Sequence, residues 1–395
     1  MSPVTLRTRN ETGMRGIVIA VVLSAFASTA FANAGTPLMW AGFLHLSVGN
    51  LFIGMGEGLL LVWLFKVPWK RAMAWMVAAN YFSAIAGVVL SFGAGAVVDY
   101  GKWEAVPLHR AFPVILGFAI VSFPVTVLVE LPFTRLVQAP DRRTWWRAVK
   151  MSVVAQTASY LILVPWYLSS SYMSVITETQ VRRDVSFARP PLAWVYYINP
   201  NGDVWRVKTD GTQRAWVLDA ELKQENSRLA AQKSPEEDTW DLCAVLPTDY
   251  TKTTTAPLKA GFAALAGLPE YRRDSPSRDP YREPDLWSDW GPAADLRMTT
   301  DPAWCARTGF WSSEGITIYT TERWNPDLRI SLETPVVSWA TRSATVLPSG
   351  QIVYQLGPQV VLFDPETRDL GVLAVGRGPV VGFDELPAVA EPQTK

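Results

Sequence analysis

Glu57 stands in the run Gly54-Met55-Gly56-Glu57-Gly58, inside one of the long apolar stretches of this 395-residue chain. Asn50, Gly54, Glu57 and Gly58 recur at helical spacing and so share one face. A second apolar stretch carries a matching stripe in Asn80, Ser83, Ala84, Gly87 and Ser91. Small residues on such faces let two helix backbones approach closely, which predicts two antiparallel neighbours. Glu57 lies nine residues before Lys66, and Asn80 nine residues after Arg71. At about 1.5 Å per residue both sit about 13–14 Å from the same basic loop. The same count brings Thr126, Ser159 and Tyr160 to that level. The expected polar layer is therefore Asn50, Glu57, Asn80, Thr126, Ser159 and Tyr160.

A carboxylic acid held at membrane depth is expensive when charged and unpaired. Two chemistries suit it. Glu57 is either a proton- or ion-coupling group, or a neutral hydrogen-bonding group that locks its helix to Asn80 or a hydroxyl. No second carboxylate or lysine is expected at its depth, so no relay is apparent and the lock is the simpler reading. His45 and His109 are the only histidines. They are candidates to meet near Asp99 or Glu104 and hold a metal or haem, but no spacing motif supports this. The expectation is no metal site, and the cofactor is left open, with His45 and His109 as its candidates.

Five apolar stretches position these residues: 16–34, 38–65, 72–98, 111–132 and 151–167. Each approaches or exceeds the roughly 20 residues that a helix needs to cross the hydrocarbon. Arg7, Arg9 and Arg15 precede the first; Lys66, Lys70 and Arg71 follow the second; Arg135, Arg142, Arg143, Arg147 and Lys150 follow the fourth. The positive-inside bias puts these connections in the cytoplasm and everything after the fifth span outside it, in a bacterial periplasm. The first stretch ends in Ala30-Phe31-Ala32 behind a basic start, so a cleavable signal is the alternative to the retained helix, which is the favoured reading. Trp69, Trp145 and Trp146 at one level, with Trp40, Trp103 and Trp166 at the other, form the expected interfacial belts.

Beyond residue 180 the period becomes strand-like. Ala193–Ile198, the turn Asn199-Pro200-Asn201-Gly202, Asp203–Val207 and the turn Asp210-Gly211 predict an antiparallel meander. The cadence returns in Ser343–Leu347, Gln351–Leu356, Gln359–Phe363 and Leu370–Val375. The segments “YYINPNGDVWRVKTDGT” and “TVLPSGQIVYQLGPQVVLFDPETRDLGVLAVGRGPVVGFD” resemble blades of TolB-type β-propellers, over about 60 residues. The resemblance implies a small or irregular propeller, closed by Pro379–Phe383 entering the vacancy before the first strand. A β-sandwich is the alternative. No family resemblance is found for the apolar half.

The predicted organisation is a helix or signal over 1–35, a four-helix membrane domain over 36–175, a linker over 176–190, an extracytoplasmic β-domain over 191–386 and a tail over 387–395. Cys243 and Cys305, the only cysteines, are expected to form a disulfide in an oxidising compartment; two separate buried thiols are the alternative. Residues 181–395 hold 23 Lys/Arg and 29 Asp/Glu, a net charge of −6, which gives no reason to expect nucleic acid. That segment contains no histidine, so Ser-His-Asp chemistry is excluded there, and no P-loop, dinucleotide fingerprint or EF-hand spacing occurs. The composition favours a non-catalytic scaffold subunit of a membrane complex, contacting other membrane subunits and lipids. The alternatives are a transporter or ion-coupled energy-transducing subunit using Glu57, and a tethered extracytoplasmic enzyme or carbohydrate-binding protein.

Overall fold

The computed structural model describes residues 37–97, 108–224, 227–233, 240–249, 252–262, 296–297, 304–308, 315–320, 328–335, 337–339 and 341–382. It divides into two compact units, one holding 1–94 and 119–170, the other 95–118 and 171–395. The expected first span lies outside the described residues. The other four fall on helices.

The helical unit contains α1 (Pro37–Phe65), α2 (Trp69–Val97), most of α3 (Ala111–Val137) and α4 (Trp145–Ser170). Among the described residues three helical segments, 37–65, 108–137 and 145–170, are long and apolar enough to cross a membrane. One π-turn, His45–Gly49, interrupts α1. Lys66 ends α1 in a left-handed conformation, its N–H returning to the Val62 carbonyl at 3.1 Å, while Arg147 donates to the Phe65 carbonyl at 2.6 Å. The last carbonyls of α1 thus find donors that the helix itself cannot supply. Gln138 clamps the turn into α4 by accepting from the Thr144 N–H and donating to its carbonyl, both at 3.1 Å.

Leu61, Ala72, Met76, Ala79, Val137, Met151 and Ala155 form the bundle core. Phe52, Leu59, Trp63, Ile85, Leu128, Leu161 and Ile162 face outward and are exposed. This inversion, small and polar inside with large and apolar outside, is what lipid as solvent selects. Around the basic turns, Arg135 stacks over Trp145 at 4.2 Å and Lys150 over Trp146 at 5.3 Å.

The second unit is built mainly from strands: β1 (Gln180–Arg182), β2 (Trp194–Ile198), β3 (Val204–Lys208), β4 (Ala215–Leu218), β5 (Arg228–Lys233), β6 (Trp240–Asp249) and β7 (Lys252–Phe262). Then come β8 (Leu296–Arg297), β9 (Trp304–Thr308), β10 (Ile316–Thr320), β11 (Leu328–Ile330), β12 (Leu332–Glu333) and β13 (Ser338–Trp339). The last are β14 (Thr341–Val346), β15 (Ile352–Leu356), β16 (Gln359–Phe363), β17 (Asp369–Val375) and β18 (Arg377–Gly382).

The predicted meander is sheet β18-β2-β3-β4, and the C-terminal cadence is sheet β1-β17-β16-β15-β14. The last strand does enter beside β2, the first strand of the meander, Gly382 opposite Trp194 and Arg377 opposite Ile198. Gly202 makes the first turn possible: its φ is +97°, and a Cβ there would lie 2.9 Å from the Leu222 nitrogen. Asn199 Oδ1 accepts from the Asn201 and Asp203 N–H groups at 3.0 and 2.9 Å.

Two expectations need correction. The described strands form separate sheets of five, four, four, three and two strands, and no closed propeller is present among the described residues. Pairing of the terminal strands joins one sheet only, and most of residues 263–314 lies outside the description. Nor is the Cys243–Cys305 disulfide formed: Cys243 is a buried thiol without a disulfide on β6, in sheet β5-β6-β7, whereas Cys305 is on β9 in sheet β11-β10-β9-β8.

A paired strand also replaces part of the expected linker. Gln180–Arg182 joins the C-terminal sheet as a parallel edge strand beside β17. Arg189 then reaches the buried Asp364 with its guanidinium, while its N–H donates to Gln351 Oε1 at 2.8 Å. Burial alone would raise the Asp364 carboxyl. Arg189 and the backbone N–H groups of Thr367 and Glu366 outweigh this and hold it below the usual carboxylate range.

Candidate functional site in the helical unit

The buried face of α1 is Asn50, Gly54, Glu57, Gly58 and Leu61. A Cβ on Gly54 would sit 2.6 Å from the Val77 Cα, and one on Gly58 would sit 2.8 Å from Met73 Cε. Only glycine permits this approach of α1 to α2, and the approach brings Asn80 to Glu57. Asn80 Nδ2 donates to Glu57 Oε2 at 2.6 Å and to its own helix at the Met76 carbonyl, 3.1 Å. From α4, the Ser159 hydroxyl donates to Glu57 Oε1. Both carboxylate oxygens are therefore occupied, by donors from two other helices.

The structure adds a carboxylate that the sequence reading did not place. Glu130 of α3 is 1% exposed, and its Oε2 accepts from Gln156 Nε2 of α4 at 2.5 Å. Ser83 and Glu57 are both close enough to act on it electrostatically. The expectation of a lone carboxylate is thus corrected. Depth had been counted from Arg135 as though it lay in the loop, which leaves Glu130 too near the surface; α3 in fact continues to Val137 and carries Arg135 within it. A glutamate within an 18-residue apolar window was the available signal.

Residue by residue, the expected layer divides. Asn50, Glu57, Asn80 and Ser159 are buried together in the unit. Thr126 and Tyr160 meet at 3.2 Å, but both are half-buried, and their hydrogen bonds close on Ser122. Residues not anticipated complete the interior: Ser152 donates to the Val127 carbonyl at 3.1 Å, beside Gln156 on the same face of α4. Three buried polar atoms of this unit, Asn50 Nδ2, Glu130 Oε1 and Arg135 Nε, have no hydrogen-bond partner among the described residues.

His45 belongs to the π-turn, where the ring interacts edge-on with Tyr167 at 5.6 Å and Nδ1 lies 2.6 Å from the tyrosine hydroxyl. A π-turn adds a residue to the helical repeat, so the helical spacing that puts Asn50, Gly54, Glu57 and Gly58 on one face does not extend to His45. His109 lies in the other unit. No group of three or more His, Cys, Asp or Glu side chains able to hold a metal occurs among the described residues.

Comparison with family models, curated proteins and solved structures finds no match. The chemistry of the interior must therefore be argued from its own geometry. That geometry is a set of interhelical hydrogen bonds centred on two neighbouring carboxyl groups, with α4 supplying a partner to each.

Proposed function

We infer that this chain is a non-catalytic, membrane-integral subunit of a protein assembly, with its β unit outside the cytoplasm as a docking module. The basic connections on one side of the expected spans support a bacterial inner membrane and a periplasmic β unit. One observation carries the scaffold reading: the polar side chains of the bundle interior hydrogen-bond mainly to one another, across helices. Glu57 is held by Asn80 and Ser159, Glu130 by Gln156, and Ser152 by a carbonyl of α3. Such bonds fix the rotation and register of helices that apolar contacts alone leave free in lipid.

The test is native mass spectrometry of the full chain after extraction in mild detergent, with crosslinking in intact membranes beforehand. A fixed stoichiometry with at least one other chain supports the reading. A monomer that crosslinks to nothing refutes it.

A second reading, an ion-coupled subunit, is favoured by the nearness of Glu130 to Glu57 and by the unpartnered Glu130 Oε1. Two carboxyl groups in one apolar interior need a proton or cation between them to be tolerated. Carbodiimide labelling of membranes separates the readings. Modification of Glu130 that a monovalent cation suppresses supports coupling; labelling indifferent to cations leaves the lock alone.

A further inference from the structure

The β unit carries an open cleft of about 840 Å³ whose lining includes Arg110, Arg182, Arg183 and Arg214 and no acidic side chain. This is unusual for its setting, since residues 181–395 carry a net charge of −6. Composition alone would place carboxylates there. Arg182 has a partner just behind the wall, donating from Nε to Asp369 Oδ1 at 2.5 Å. Arg214 is positioned by the main chain, its Nη2 donating to the Leu373 carbonyl at 2.8 Å. Arg110, Arg183 and Arg214 form no salt bridge among the described residues. Three guanidinium charges therefore share one concavity without a counter-charge.

The fold brings them there. Arg182 and Arg183 arrive because β1 adds in parallel to β17, Arg182 opposite Gly371. Arg110 is fixed by the short helical turn Leu108–Arg110, whose first N–H donates to Gln359 Oε1 at 3.2 Å. The remaining wall mixes apolar and aromatic side chains, Tyr197, Trp205 and Val372 among them, with the polar His109, Asn199 and Gln359. Burial pushes the Tyr197 phenol up, and the nearby Arg214 charge partly offsets this.

The geometry points to a binding site for a phosphate-bearing ligand with an apolar body. Guanidinium forks match phosphate oxygens in pairs. Three of them, with no acidic neighbour in the lining, favour a phosphate that keeps its net negative charge over a zwitterionic one. The source favoured is an anionic phospholipid headgroup, because the Leu108–Arg110 wall runs without a break into α3, an apolar helix of membrane length. Basic pockets beside the ends of spans take lipid headgroups for this reason. A soluble phosphorylated ligand is the other source of the same chemistry. The site does not depend on the docking reading, and its loss would leave partner stoichiometry unchanged.

The experiment titrates the full chain, delipidated in neutral detergent, with dihexanoyl phosphatidylglycerol, dihexanoyl phosphatidylcholine and glycerophosphoglycerol, read by calorimetry. Phosphatidylglycerol is expected to bind at least about tenfold more tightly than phosphatidylcholine. Arg183→Ala/Arg214→Ala should lose at least about tenfold of that binding, the scale of one charged hydrogen bond, and Lys223→Ala, outside the cleft, should lose none. Binding of glycerophosphoglycerol as tight as the lipid, and equally lost in the double variant, supports the site with a soluble ligand. Should the double variant not fold, Arg183→Ala, an exposed side chain, decides alone. Equal binding of both lipids, or binding that no cleft variant weakens, overturns the site.

Discussion

Replacing Glu57 tests the polar lock most directly, because two substitutions of nearly the same size remove different things. Glu57→Leu removes both acceptors. The Asn80 amide then keeps only its bond to the Met76 carbonyl, and the Ser159 hydroxyl can turn back onto its own helix. Neither donor is fully orphaned, so the loss is that of two interhelical bonds. At about 0.6 kcal/mol on average each, with a maximum near 1.7, the expected destabilisation is about 1–2 kcal/mol. Glu57→Gln keeps one acceptor for Asn80, and its new N–H group can donate to Ser159 once that hydroxyl reverses. The cost should stay under about 0.5 kcal/mol. The assay is reversible unfolding of the purified chain in bicelles, titrated with sodium dodecyl sulfate and followed by circular dichroism at helical wavelengths. A Leu variant as stable as the parent would refute the lock. A Gln variant as unstable as the Leu variant would show that the negative charge, and not the hydrogen bonds, holds the helices.

Gly54→Ala should destabilise the bundle by about 1–3 kcal/mol in the same assay, because the new methyl meets backbone atoms that cannot retreat. The Asp364 carboxyl titrates below its unfolded value of about 3.9, so its contribution is present above that pH and lost as the pH falls through the folded value. Asp364→Asn should therefore lower stability near neutrality by about 1–3 kcal/mol and flatten the acid limb of a thermal melt; an unchanged acid limb would refute it. The Cys243 thiol, pushed up first by burial and then by the Asp241 charge, should alkylate slowly in the folded chain and quickly in urea, and a non-reducing peptide map should contain no Cys243–Cys305 pair. Single cysteines placed after residue 180 should react with an impermeant reagent added to spheroplasts, and ones in 136–146 should not; the reverse pattern overturns the periplasmic assignment.

What was legible in the sequence had a local cause. The strands at 194–198 and 204–208 follow from β-branched and aromatic runs broken by Gly202 and Gly211, whose φ values of +97° and +80° only glycine adopts freely. Pairing of the last strand with the first was legible because each lacked a neighbour in its own repeat. The glycine face opposite Asn80 was legible because helical spacing alone defines it. What was missed depends on distant segments or on a helix boundary. Glu130 was hidden by an assumed loop at Arg135. The basic cleft draws Arg110, Arg182, Arg183 and Arg214 from three separate stretches, and a parallel edge strand inside an expected linker has no hairpin turn to announce it.

The placement of the two carboxyl groups favours a lock over a pathway on one further ground. Both are answered by α4, through Ser159 for Glu57 and Gln156 for Glu130. These donors lie three residues apart, beside Ser152, Ala155 and Met151 on a single buried stripe. A route for ions would need polar groups spread along the axis toward both membrane faces. Here they gather on one stripe, where they select a single rotation of α4 against α1 and α3. That economy fails at two atoms of the layer, Glu130 Oε1 and Asn50 Nδ2. They are where a bound proton or cation would have to be found.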